Sequence, residues 1–238
     1  MTDGVFASPA TVEDPDALAA TEQAQGDLAV SLREMVDACV RTRVDDDTLT
    51  AVAQEVRTLT QRLLVRAQSE PLGLETTSGG RLRDHGNPMA GMRNPIAPPL
   101  AVTGDTEGTM SATFCLGAGY EGPPGCVHGG MIAAVLDQVV GSAPARVGRP
   151  GLTAYLNTTY RRPTLLGIEH VARAWVEEVD GWKVRARGDI RDPQGRVTAE
   201  ADALFVVPRW AREHLGTPTG DAGGVDPGDT AAHDVATS

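Results

Sequence analysis

The hydrophobic positions change period once along the chain. Between residues 28 and 67 they recur at three- and four-residue steps: Leu28, Leu32, Met35, Val36 and Val40, then Leu49, Val52, Val56, Leu59, Leu63 and Leu64. That spacing places them on one helix face and predicts two amphipathic helices. Asp45-Asp46-Asp47 interrupts the pattern, and an aspartate there can cap the second helix by accepting from a first-turn N–H. The pair reads either as a helical hairpin laid on a main domain or as an arm for a partner or for self-association.

From about residue 100 the pattern shortens. Strands are predicted over 100–103 and 109–116, an apolar helix from about 127 to 145, and strands over 153–161, 169–178, 182–191 and 197–207. Asp180-Gly181 and Asp192-Pro193-Gln194-Gly195 are compact hairpin turns. Two strands, one helix and an antiparallel run of four strands form an α+β layout. The helix is apolar on almost every side, as expected if the sheet wraps around it. Five segments follow: a disordered acidic tail over 1–27, the helical arm over 28–70, a loop rich in Gly, Pro and Arg over 71–99, the main domain over 100–208, and a disordered tail over 209–238.

Composition changes this picture in three places. The net charge of -11 belongs to the ends. Residues 1–30 hold six acids and no base, and residues 216–238 hold four acids and no base, which leaves the middle near neutral. Its Arg side chains are thus available to an anionic ligand, while a basic nucleic-acid stripe is absent. Cys39, Cys115 and Cys126 have no framework spacing and suggest reduced thiols. Cys126 and His128 lack a second ligand pair, so no metal is expected. No apolar run reaches membrane-spanning length, and the start of the chain has no secretory pattern. The expectation is a cytoplasmic protein without membrane insertion.

The candidate chemistry lies in Tyr120-Glu121-Gly122-Pro123-Pro124-Gly125-Cys126-Val127-His128-Gly129-Gly130 and in Asp137, which ends the run Met131 to Leu136. A carboxylate in an apolar helix is costly unless paired, hydrogen-bonded or neutralised. Such a residue is either a satisfied structural group or a catalytic base or nucleophile. Two glycines at a helix start leave first-turn N–H groups unobstructed at the positive end of the dipole, where they can hold an oxyanion; close packing of the turn is the other reading. His128 and Asp137 are nine residues apart, two and a half turns, or roughly 13 Å along the axis and on opposite sides. One chain cannot easily aim both at one group. Two antiparallel chains can, which points to a site at a two-fold interface.

The motif Gly-x-x-His-Gly-Gly with an Asp nine residues on, from Gly125 to Asp137, resembles the hotdog-fold thioesterases of the PaaI-like family. The full run from Tyr120 to Gly130 is closer to the acyl-CoA thioesterases of the carboxyl-terminal-modulator type. Thr153 to Pro163 and Gly195 to Val206 resemble later strands of that family, and the resemblance spans about 100–207. It implies a hotdog fold, hydrolysis of an acyl-CoA, no cofactor, and a homodimer or homotetramer. It implies Asp137 as general base or nucleophile, Gly129 and also Gly130 as carbonyl-polarising N–H donors, His128 as support of the turn, and Thr153 as the hydroxyl that helps place water. Gly122 stands where simpler PaaI-like enzymes often carry an Asn.

At period two, Thr153, Tyr155, Asn157, Thr159 and Arg161 share one strand face, a candidate substrate-binding face. Arg161 or Arg162 can meet coenzyme A phosphates or mark a solvated strand end. Trp182 and Lys183 are candidates for the adenine end, or simple cover for the core. A non-catalytic acyl-CoA-binding module and a hotdog hydratase or dehydratase remain as alternative functions. Acyl chain type, and coenzyme A against an acyl carrier protein, stay open.

Overall fold

The computed structural model describes residues 14–70, 72–77, 82–98 and 100–212. The parts of the two expected tails at 1–13 and 213–238 lie outside these residues. Helix α1 runs Pro15–Arg41 and helix α2 Asp46–Leu64. Residues 15–27 are therefore helical, not tail. Asp14 caps α1 by accepting from the Asp16 N–H, and Pro15 opens it, an arrangement suited to a first helical turn. The alanines from Ala17 to Ala24 hold the helix without an apolar stripe to announce it. Asp45 caps α2, accepting from the Thr48 N–H at 2.8 Å.

The two helices differ in what they touch. Ala29 of α1 is buried, and Asp37 accepts the Ala118 N–H at 2.9 Å. No residue of α2 is buried, so a hairpin laid on the main domain describes α1 only. The segment expected as a loop carries a small antiparallel pair, β1 (Leu74–Thr76) and β2 (Leu82–Asp84). There Glu75 meets Arg83 at 2.9 Å and His85 at 2.7 Å, and Arg83 reaches Glu22 of α1 at 2.9 Å. The His85 hydrogen bond, working against burial, holds the Glu75 carboxyl below its ordinary range.

The main sheet contains β3 (Thr103–Gly104), β4 (Met110–Phe114), β5 (Leu152–Tyr160), β6 (His170–Asp180), β7 (Lys183–Arg191) and β8 (Val197–Val206). Their spatial order is β3-β4-β6-β7-β8-β5, and every pairing is antiparallel. The four strands of the expected antiparallel run are all present, but their spatial order differs from their order in the chain. β6, β7 and β8 are joined by tight turns and form a meander, whereas β5 lies beyond β8 as an edge. A short helix, α4 (Arg209–Arg212), follows β8.

Helix α3 (Gly129–Arg146) lies in the concave face. Its Val135, Leu136, Val139, Val140 and Ala143 are fully buried. Against them the sheet presents Ala172, Ala174, Ala186, Ala199, Ala203, Ile190 and Phe205. Small side chains on the sheet let the helix approach closely. At Gly188 even a methyl group fails: a Cβ there would stand 2.6 Å from both the Arg173 carbonyl oxygen and Val140 Cγ2. This is the wrapped sheet and central helix of the hotdog fold, α+β as expected.

Candidate active site

The turn before α3 is built from backbone hydrogen bonds. Gly122 N–H donates to the Cys126 carbonyl at 2.9 Å, Cys126 N–H to Pro123 at 2.8 Å, and His128 N–H to Tyr120 at 2.9 Å. Glu121 accepts the Gly125 N–H at 2.7 Å, and Gly125 has φ +74°, which favours glycine. Gly122 has no room for a side chain, because a Cβ would stand 2.7 Å from His128 Cα. An amide side chain at that position is thus excluded by the packing of this turn.

His128 is the N-cap of α3. Its Nδ1 accepts the Gly130 N–H at 3.0 Å, so the proton of the neutral ring sits on Nε2. The His128 carbonyl accepts the N–H groups of Met131 and Ile132. Of the first four N–H groups of the helix, only that of Gly129 has no partner among the described residues. Gly130 is therefore corrected as an oxyanion donor, because its N–H is already engaged. The donor left at the positive end of the helix dipole is Gly129.

Asp137 lies two and a half turns on. It is half-buried, not buried. Thr153 Oγ1 donates to its Oδ1 at 3.0 Å. A β-bulge makes this contact: the pairing of β5 with β8 shifts between Thr153 and Tyr155. Thr153 stands opposite the core residue Phe205, while Tyr155, Asn157 and Thr159 stand opposite Leu204, Asp202 and Glu200 on the outer face. The extra residue turns Thr153 inward. The expected shared face of Thr153, Tyr155, Asn157, Thr159 and Arg161 is thus corrected: Thr153 faces α3 and the others do not.

Strand β5 touches the helix at its start and at its middle. Besides Thr153 at Asp137, the Tyr160 hydroxyl donates to the Gly129 carbonyl at 2.9 Å. Tyr160 was not singled out from the sequence as a site residue. Neither was Asp37, which holds Ala118 at the start of the turn Ala118–Tyr120. The Tyr120 hydroxyl donates to the Ile96 carbonyl at 2.9 Å. Burial pushes this phenol above its ordinary value, with Arg33 partly offsetting.

The remaining candidates are dispersed. Thr159 is exposed on the outer sheet face. Arg161 is paired with Glu200 at 2.8 Å, and Arg162 donates to the Val197 carbonyl at 2.8 Å. Trp182 is half-buried, with the guanidinium groups of Arg149 and Arg212 at 5.2 and 5.5 Å from its ring centroid. The ring is engaged in cation–π contact, not left open for an adenine. Lys183 is exposed beside it. Among the described residues no group of His, Cys, Asp and Glu could hold a metal ion, and no helix is long and apolar enough to cross a membrane.

A family model described as the thioesterase superfamily matches residues 124–199. Acyl-coenzyme A thioesterase THEM4 of Xenopus laevis is 35% identical over 101 residues, 42% of this chain and 46% of that protein. The Mus musculus protein of the same name is 33% identical over 91 residues, 38% of this chain and 39% of its own. The chain thus spans under half the length of the curated relatives it matches. The crystal structure of a thioesterase superfamily protein superposes with a TM-score of 0.70 at 33% identity, covering 85% of this chain and 99% of that one. That coverage exceeds residues 100–207, so the likeness extends beyond the hotdog domain into the segments before it.

Proposed function

We propose that this chain, which belongs to the thioesterase superfamily, hydrolyses an acyl thioester of coenzyme A in a site shared by two copies. One observation carries the reading. The N–H of Gly129, unpartnered among the described residues, opens α3, the carboxylate of Asp137 lies at its middle, and the same edge strand, β5, contacts both residues through the Gly129 carbonyl and the Asp137 carboxylate. An unpaired edge offers its N–H and C=O groups to another strand. Antiparallel pairing of two β5 edges about Leu156 and Asn157 sets the Thr153 end of one copy against the Tyr160 end of the other. Asp137 of one copy then approaches the Gly129 turn of its mate, as a two-fold axis requires.

In this arrangement the Gly129 N–H donates to the thioester carbonyl oxygen and stabilises the charge that grows there. Asp137, oriented by Thr153, takes a proton from water as the oxygen bonds to the carbonyl carbon. The C–S bond breaks and the thiolate recovers that proton. Direct attack by Asp137 to give a mixed anhydride, later opened by water, uses the same groups. His128 takes no proton, because its Nδ1 is committed to the Gly130 N–H. The dimer is the minimal assembly for this chemistry, and a tetramer contains it. Arg161 and Arg162, just past β5, are the candidates for the coenzyme phosphates, and the exposed Lys183 is the candidate for the adenine end. Three free cysteines support a cytoplasmic setting.

Thiol release from short, medium, long and aryl acyl-CoAs tests the reading, with Asp137→Asn as the control. Free thiol in stoichiometric yield with the acid supports hydrolysis. Intact thioester with a shifted or hydrated double bond indicates a hydratase, and ligand retained unchanged indicates a binding module; either result overturns the proposal.

A further inference from the structure

Helix α2 has an apolar seam that the described chain leaves bare. Leu49, Val52, Leu59 and Leu63 are 43%, 44%, 46% and 55% exposed, and Val56 between them is only half-buried. Their spacing is three, four, three, four, the a and d positions of a heptad repeat. Four threonines and two valines within nineteen residues give this helix modest intrinsic propensity, and isolated helices of about this length are marginal in water. A packed seam is the ordinary source of such a helix's stability.

We infer that α2 pairs antiparallel with α2 of a second copy of this chain. Charge selects both the partner and the register. The first turn and its cap are acidic, Asp45, Asp46 and Asp47, while the second half carries Arg57 and Arg62, with Arg66 just past its end. Parallel pairing stacks the acidic ends and the helix dipoles; antiparallel pairing opposes them. With Leu49, Val56 and Leu63 at a, and Val52 and Leu59 at d, the flanking g positions are Thr48, Glu55 and Arg62. In an antiparallel pair, g positions face each other across the seam.

Four registers bring a positions against d, and the one that sets only Leu49 against Val52 crowds Glu55 onto the acidic first turn of the other copy; three remain. One faces Glu55 with Glu55 of the second copy, and another faces Arg62 with Arg62. The third sets Val52 against Leu63 and Val56 against Leu59, and it joins Glu55 to Arg62 twice. Neither side chain has an ion-pair partner within the described chain. A parallel pair sets g against e, and Glu55 then meets only Thr60. The third antiparallel register is thus the one that joins opposite charges while covering four of the five apolar positions, with Leu49 left at the rim. This contact is separate from the β5 edge and independent of the thioesterase reading.

Hydrogen exchange on the full chain tests it, with the amides of the interior strand β7 as internal control. Wild-type α2 amides are expected to be protected, and to lose protection on dilution. Glu55→Arg alone, or Arg62→Glu alone, faces like charges twice and should lower that protection about tenfold. An equimolar mixture of the two variants restores both pairs between unlike copies and should recover it, as should the double variant. Leu59→Asp should abolish it in every mixture. Fast α2 exchange in the wild type, or protection that ignores concentration, overturns the inference. So does a mixture of the two single variants that behaves as its components do, which assigns the seam to another occupant.

Discussion

At its first turn α3 presents a backbone N–H, and at Asp137 it presents a side chain. The protein secures these two groups differently. The Gly129 turn is mainly local: Tyr120 to Gly130 carries several hydrogen bonds of its own and His128 caps the helix, with Thr164 and Leu166 adding two backbone bonds from outside at Val127 and Gly125. The Asp137 end depends on a distant segment, because Thr153 reaches it only through a bulge in an edge strand. A backbone donor needs only that the other donors be consumed. A carboxylate on an apolar helix needs a partner placed by tertiary structure. The first end should tolerate change in its surroundings better than the second.

The largest expected effect tests the carboxylate. Asp137→Asn keeps an oxygen able to accept from Thr153 and removes the base, so kcat should fall on the order of a thousandfold. The thermal midpoint should hardly move, as checked by thiol release and calorimetry on the same sample. Wild-type turnover would move the chemistry elsewhere in the molecule.

Gly129→Pro tests the other end with a backbone edit. Proline is well accommodated at the first helical position, and His128 at φ -59°, ψ 134° already has the conformation preferred before proline. The substitution deletes the N–H that, in the first turn of α3, has no partner among the described residues. It should cost about a hundredfold or more in kcat. Gly129→Ala keeps the N–H, and its Cβ meets the Tyr160 hydroxyl oxygen at 3.3 Å, a contact the ring can relieve. Near-normal activity in the alanine variant, beside a crippled proline variant, assigns the effect to the N–H.

What was legible in the sequence follows the same division. The turn, the helix and the hairpins are local, and Gly125, Asp180-Gly181 and the apolar run after His128 announce them. The face assignment along β5 was not legible, because Thr153-Ala154-Tyr155 contains no glycine or proline to mark the bulge. The place of β5 beyond β8 is a crossover, and periodicity carries no record of pairing order. Tyr160 and Asp37 act across 31 and 81 residues, and nothing near them distinguishes them from surface groups. Gly130 looked like a donor because its N–H lies in the right turn; only the ring orientation of His128 shows it to be engaged.

Thr153→Val removes a hydroxyl and keeps the shape. Its hydrogen bond to a charged group is worth about 1.5–3 kcal/mol where it holds fully, so a tenfold loss in kcat is the expected order. Asp137 keeps its charge, and KM should change little. Calorimetry on the same sample separates this from a folding defect, because the thermal midpoint should hardly move while kcat falls.

Tyr160→Phe should give the smallest change and decide the most about the comparison. The phenol holds the Gly129 carbonyl from an exposed position, and a neutral hydrogen bond of this kind contributes about 1 kcal/mol net. The turn retains its own backbone bonds and the His128 cap, so the Gly129 N–H should keep its direction. Activity should fall by about fivefold or less, well short of the Thr153→Val loss. If β5 edges meet at the interface, however, Tyr160 of one copy lies near Thr153 of the other. The phenylalanine variant should then weaken association measured by sedimentation equilibrium while sparing kcat at saturating protein. An equal or larger loss of kcat than in Thr153→Val, at protein concentrations where the oligomer is intact, would mean that the Gly129 end depends on β5 as strongly as the Asp137 end does. The local character assigned to that turn would then be wrong.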